Sequence, residues 1–197
     1  MKLLLITTSI LFLFSCGSDK RTNYTTEDKN GKKIMTNESR QILDDLLIEF
    51  LDCKTSKENV RDCKYFTAKA LCDFYQIDDF KKGDTYVNYE EMHDIILGKL
   101  GTWRPIGNAL DQNNLDEAQR TANNGQATVA ISTKSKYGHV AIIVPGTQQK
   151  AGKWNKLNVP LCASFFMVPS PDSFVGKHLG YAWRTGEDVY LYTKIPK

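Results

Sequence analysis

Only three histidines occur in the chain, and no two of them lie at the spacing a metal site uses, so no zinc centre and no other metal is expected. An excess of one charge is missing too. The 26 basic and 23 acidic residues are spread along the chain and leave a net charge of +3, which gives no electrostatic case for a nucleic-acid partner. There is no internal repeat and no low-complexity block beyond one polar stretch near the start. The single long apolar run, residues 3 to 14, is too short to span a bilayer comfortably and is followed by polar sequence, which argues against a retained transmembrane helix. What is present, 197 residues of which 41% are hydrophobic, suffices for one domain with a sizeable core.

The apolar run has its own meaning. In "MKLLLITTSILFLFSCGSDK" one Lys precedes it and small residues surround Cys16 at its end, which is a secretory signal pattern. "LFSCG" resembles the lipobox of bacterial lipoproteins. That resemblance implies cleavage before Cys16 and acylation of that cysteine, and several acyl chains hold a protein to a membrane far more firmly than one. The expected organisation is therefore a signal peptide at 1–15, a lipidated flexible tether at 16–36 and one folded domain at 37–197. The tether reading rests on "GSDKRTNYTTEDKNGKKIMT", which is polar and poor in apolar residues. The expected address is the bacterial cell envelope, on the periplasmic or cell-surface side of a membrane.

Within the domain the hydrophobic period changes once. "NESRQILDDLLIEFLDC" spaces Ile42, Leu43, Leu46, Leu47, Phe50 and Leu51 by three and four behind Asn37, which predicts a capped amphipathic helix. "VRDCKYFTAKALCDFY" predicts a second, with Phe66, Ala70 and Phe74 on one face and Cys63 in its first turn. A third is expected at "YEEMHDIILGKL" behind Asn88, and a fourth from Gln112 to Asn123 between Asp111 and Gly125. Alternating stretches follow: "ATVAIS", "HVAIIV", "LCASFFMV" and "VYLYTKI" read as strands, with "LGYAW" as a candidate fifth. Helices first and strands second predict an α+β fold, N-terminal helices packed on a C-terminal antiparallel sheet.

Setting Cys16 aside leaves Cys53, Cys63, Cys72 and Cys162, an even set in an oxidising compartment. At about 100° per residue, Cys63 and Cys72 fall on opposite faces of one helix and cannot bond each other. Cys72 pairs with Cys53, with Cys162, or with nothing; in each case Cys63 is left as a thiol without an assigned partner.

A thiol at a helix start meets unpaired N–H groups and the positive end of the helix dipole, which favour the thiolate. A nucleophile also needs a base, and "KYGHVAIIVPG" places His139 at the mouth of an apolar strand behind Gly138. "DCKYF" before a helix and "GHVAIIV" beyond it resemble the NlpC-type cell-wall peptidases and their CHAP and type VI amidase relatives, which have a papain-like fold. "WRPIG", "VPLCASFFM" and "FVGKHLGYAW" are similar to further bacterial and phage cell-wall amidohydrolases. The resemblance covers roughly residues 59 to 195. It implies Cys63 as nucleophile and His139 as general base and acid, with no cofactor, and a peptidoglycan stem peptide as substrate of a monomeric enzyme. The family's third polar residue, on the next strand, corresponds to Ser164, with Asn158 or a backbone carbonyl as alternatives. Asp62, Gly138 and Trp154 are expected to line the substrate, Trp154 from a loop rich in lysine. Lys64 and Tyr65 depart from the Ser-Gly usual beside the family's cysteine.

Plainer roles stand beside these. A cysteine in an apolar helix is commonly a small core residue, a lone histidine is commonly a satisfied sheet-edge residue, His93 is expected to face solvent, and His178 is expected in a loop, with a place lining the cleft as its alternative. The alternative to a membrane-anchored hydrolase is a catalytically inactive lipoprotein of the same fold that binds wall fragments or a protein partner.

Overall fold

A computed structural model describes residues 23–56, 62–99, 101–132 and 138–196; the expected signal peptide and Cys16 lie outside them. The description begins with a hairpin, β1 (Thr25–Glu27) and β2 (Lys33–Met35), closed by the Asp28 carboxylate accepting from the N–H groups of Asn30 and Lys32. Part of the segment read as a tether is thus built into the domain. The reason is Tyr24, which is buried beside Phe74 and Tyr75 at ring-centroid distances of 5.3 and 5.7 Å. One aromatic side chain in a polar stretch is enough to dock it.

Helix α1 (Asn37–Thr55) follows, capped by Thr36 rather than Asn37: the Thr36 Oγ1 accepts from the Ser39 N–H at 3.2 Å. Its inward stripe is Ser39, Leu43, Leu46 and Phe50, the three- and four-residue spacing of one helical face. A 3-10 turn (Asp62–Tyr65) leads into α2 (Phe66–Tyr75), so Cys63 sits in that turn, before the helix proper. Helix α2 is buried almost all round and packs its Phe66 against Phe50 of α1. A small ribbon, β3 (Lys81–Lys82) and β4 (Thr85–Tyr86), precedes α3 (Tyr89–Asp94). There Asn88 and Glu91 form a reciprocal capping box, each side chain accepting from the other's backbone N–H.

The first strand of the main sheet, β5 (Trp103–Asn108), comes next, then α4 (Gln112–Asn123) behind the Asp111 cap. The remaining strands are β6 (Thr128–Ser132), β7 (Val140–Ile143), a minor ribbon of β8 (Gln149–Lys150) and β9 (Asn158–Val159), β10 (Leu161–Ser164), β11 (Phe174–His178) and β12 (Val189–Lys194). Six of them form an antiparallel sheet in the order β11-β10-β7-β6-β12-β5. The architecture is α+β. "LGYAW" is not a strand: Leu179–Tyr181 is a 3-10 turn and the strand lies just before it. No helix among the described residues is long and apolar enough to cross a membrane.

Both faces of the sheet are covered, because each strand alternates between two cores. Val129, Ile131, Val140, Ile142 and Ala163 join the core under α1 and α2. Ala130, Ala141, Ile143, Cys162, Val189 and Leu191 join a second core under α4. The small alanines let α4 approach closely, and its buried Gln119 is satisfied by both neighbouring strands' ends, donating to the Val144 carbonyl and accepting from the Leu161 N–H.

Replacing Tyr24 by Ala is expected to lower the unfolding free energy by about 3 kcal/mol, as for other buried aromatic truncations. Denaturant melts check this: a freely moving tether gives no change.

Candidate functional site

The chemistry expected of this protein centred on one sulfur. That sulfur is not free. Cys63 forms a disulfide with Cys53, near the end of α1, and is 1% exposed. A bridged sulfur carries no thiolate, so in this form Cys63 is not a nucleophile. The pairing also differs from each alternative read from the sequence. The end of α1 and the turn before α2 lie side by side at the short connection between the two helices, whereas Cys72 points into the core. Cys72 and Cys162 are free, buried thiols; burial pushes the Cys72 pKa up to about 11 and raises that of Cys162 further.

His139 continues β7 by one residue: its carbonyl accepts from the Ser132 N–H at 3.1 Å. Val140 and Ile142 face the α1–α2 core, so the alternation puts His139 in step with Ala141 and Ile143 on the α4 side. Its neighbours agree. The imidazole stacks on Phe166 at 4.4 Å and meets Trp183 at 5.3 Å, two residues packed against the second core. Cys63 belongs to the first core. The sheet therefore separates the sulfur's side from the imidazole's side.

Ser164 on β10 is fully buried and shares a hydrogen bond of 2.5 Å with His139 Nε2. Its position follows from register: Ser164 has the parity of Cys162, which faces the α4 core. Enclosure by Phe166 and Trp183 lowers the His139 pKa to about 4, because burial disfavours the charged ring. At neutral pH the ring is uncharged, with one nitrogen committed to Ser164. Asn158, the other candidate partner, is exposed on β9, where its N–H donates to Gln112 at 2.9 Å.

The open end of the sheet forms a groove of 690 Å³ in which the two sides meet. Lys54 and Lys64, each next in sequence to a bridged cysteine, line it with Tyr89, Gly138, His139 and Phe166. Tyr89 is fixed there by donating to the Phe165 carbonyl at 2.8 Å and by a bond with Thr67 in the first turn of α2. Gly138 is required by close approach: a Cβ there would lie 1.9 Å from the Ser132 carbonyl oxygen. Its own carbonyl is bonded to His93 Nε2 at 2.9 Å, so His93 is half-buried and engaged rather than solvent-facing.

Other expected site residues fall elsewhere. Trp154 is 1% exposed, and its Nε1 donates to the Trp183 carbonyl, which makes it a core residue and not a loop platform for substrate. Asp62 opens the 3-10 turn, and its side chain lies outside what is described. His178 ends β11 and accepts a bond from the Gly180 N–H. The residues missed were Phe166 and Tyr89. Phe166 has the parity of Ser164, a signal legible only once the strand is placed. Among the described residues no group of three His, Cys, Asp or Glu side chains could hold a metal ion.

Compared with known proteins, the chain is matched by no family model and by no curated protein sequence.

Two outcomes check this site. Alkylation without reductant should label Cys72 and Cys162 only after unfolding, and Cys53 and Cys63 only after dithiothreitol is added. The depressed His139 pKa means that the unfolded chain takes up the proton first, so stability falls as pH drops from about 6.5 towards 4. Urea melts should show about 2 kcal/mol lost between pH 7 and pH 5 that the His139→Gln variant does not lose.

Proposed function

We propose that this protein is a binding module of the cell envelope that holds peptidoglycan stem peptides in the groove at the end of the sheet and leaves them uncut. The observation that carries this reading is the Cys53–Cys63 bridge, which takes the one sulfur at the right helix start out of thiol chemistry. A non-hydrolytic role also agrees with the parity of β7, which directs His139 away from the core that contains Cys63. Stem peptides are short, extended and rich in carboxylates. The groove offers two lysine ammonium groups against one carboxylate, that of Glu90, with the Tyr89 ring and the neutral His139 edge over an apolar floor of Phe166 and Met167. That is an apolar cleft with a few fixed polar groups, the usual composition of a small-ligand site. Acylation of Cys16 would keep the groove at the membrane surface, where wall fragments are released and captured.

A second reading is favoured by the His139–Ser164 hydrogen bond at a groove that Lys64 also lines. In it, a dithiol reductant converts the bridge to two thiols and the freed turn presents Cys63 to the groove, which gives the papain-like hydrolase that the sequence resembles.

Calorimetric titration of the purified oxidised protein with a tetrapeptide stem, with mass spectrometry of the peptide afterwards, separates these readings. Binding without cleavage is expected, and Lys64→Glu should weaken it about tenfold, or 1.4 kcal/mol. Cleavage by the oxidised protein, or absence of binding, overturns the binding role. Cleavage that appears only with dithiothreitol or in Cys53→Ser, and vanishes in Cys63→Ala, selects the second reading.

A further inference from the structure

Phe166 has two sides. One faces the His139 groove; the other is the wall of a separate cavity of 680 Å³. Its lining differs in kind from that of the groove. Tyr181 projects from the 3-10 turn after β11 with 59% of its surface exposed, high for so large a ring, and Trp183 stands half-buried two residues on. The Tyr181 ring is held from behind. Its centroid lies 4.7 Å from that of His178 and 6.1 Å from that of Phe174, with the Lys177 ammonium 5.2 Å from its own. A ring propped on several sides and open on another is a preorganised platform, since ordering it costs little further entropy when a ligand arrives.

Donors outnumber acceptors among the polar side chains around the platform. His178 Nδ1 accepts from the Gly180 N–H at 3.1 Å, which places the ring proton on Nε2 as a donor. Exposed Lys153 and Arg184 border the same cavity from two loops joined by the Trp154–Trp183 hydrogen bond, against one carboxylate, that of Asp172. The cavity thus combines an aromatic face, suited to the C–H face of a pyranose ring, with an excess of cationic donors suited to an anionic substituent on it.

We propose that this cavity is a subsite for a carboxylate-bearing sugar ring, with Tyr181 as the stacking platform and Arg184 and Lys153 as the carboxylate partners. The choice of probe rests on the wall-fragment reading, since the amino sugar that carries a stem peptide bears a lactyl carboxylate when the peptide is absent; the site itself rests on the cavity. Phe166 and Val168 border both cavities, so the two sites share a wall; a sugar whose lactyl carboxylate is free carries no peptide, so sugar and stem peptide would occupy them as separate ligands.

Trp183 supplies the readout, because Trp103 and Trp154 are 4% and 1% exposed and far less open to a ligand. The purified protein is titrated with N-acetylglucosaminyl-N-acetylmuramic acid and with neutral chitobiose while tryptophan emission is followed. The acidic disaccharide is expected to bind at least about tenfold more tightly than chitobiose. Tyr181→Ala should lose both sugars, and Arg184→Glu should lose the preference between them, with thermal melts matching the parent protein. Equal affinity for the two sugars, unchanged binding in Tyr181→Ala, or no binding of either overturns the proposal. The stem tetrapeptide titration tests the groove separately: sugar binding without peptide binding removes the peptide role and leaves this subsite standing.

Discussion

The two-residue repeat of the β-strand constrains everything else in this molecule. Strands β7 and β10 are buried on both faces, and each alternates strictly between the core under α1 and α2 and the core under α4. A single step along β7 therefore decides which chemistry a side chain can join. Val140 takes the α2 side, so His139 takes the other, where Ser164, Phe166 and Trp183 enclose it. The imidazole is consequently neutral, bonded and packed, and it shares only the rim of the sheet with the turn that holds Cys63.

The bridge between Cys53 and Cys63 acts on the other side of that rim. By joining the end of α1 to the turn before α2 it closes a short loop of ten residues in sequence separation, which in the chain-entropy account limits the unfolded ensemble by about 3 kcal/mol. It also fixes Lys54 and Lys64 relative to one another at the groove mouth. The same covalent bond thus removes a nucleophile and positions two cations. While the bridge stands, the groove mouth carries two cations and no thiolate.

The helices were legible in the sequence because each has its own local punctuation. Asp111 and Asn88 cap α4 and α3 as their side-chain chemistry predicts, and the apolar stripe of α1 is the stripe that is buried. The strands at 128, 140 and 189 were legible from β-branched alternation. β5 was not, since "WRPIG" contains a proline and a glycine and survives as a strand only at the sheet edge, where a missing N–H is tolerated. The site was legible in part. Gly138-His139 marked the right strand mouth, and Ser164 is the side chain His139 meets. What the sequence could not supply was which face His139 would take, because both faces of β7 carry apolar residues and the alternation reads the same in either orientation. Nor could it pair the cysteines, since helix geometry excluded one pairing and left Cys63 apparently alone.

The 166–168 loop ties these facts to function. It follows β10 after Phe165, so the register that brings Ser164 to His139 also sets Phe166 two residues on, against the imidazole. Phe166 divides the accessible space into a groove bordered by Lys54 and Lys64 and a cavity bordered by Lys153 and Arg184. Each side of this apolar divider therefore carries two cations against one carboxylate, Glu90 in the groove and Asp172 in the cavity. The net charge of the whole chain is only +3, so this is a matter of placement and not of overall charge. A ligand spanning both would gain from the second contact without the full translational cost of a separate binding event, so two weak sites sharing one wall can act as a single stronger one.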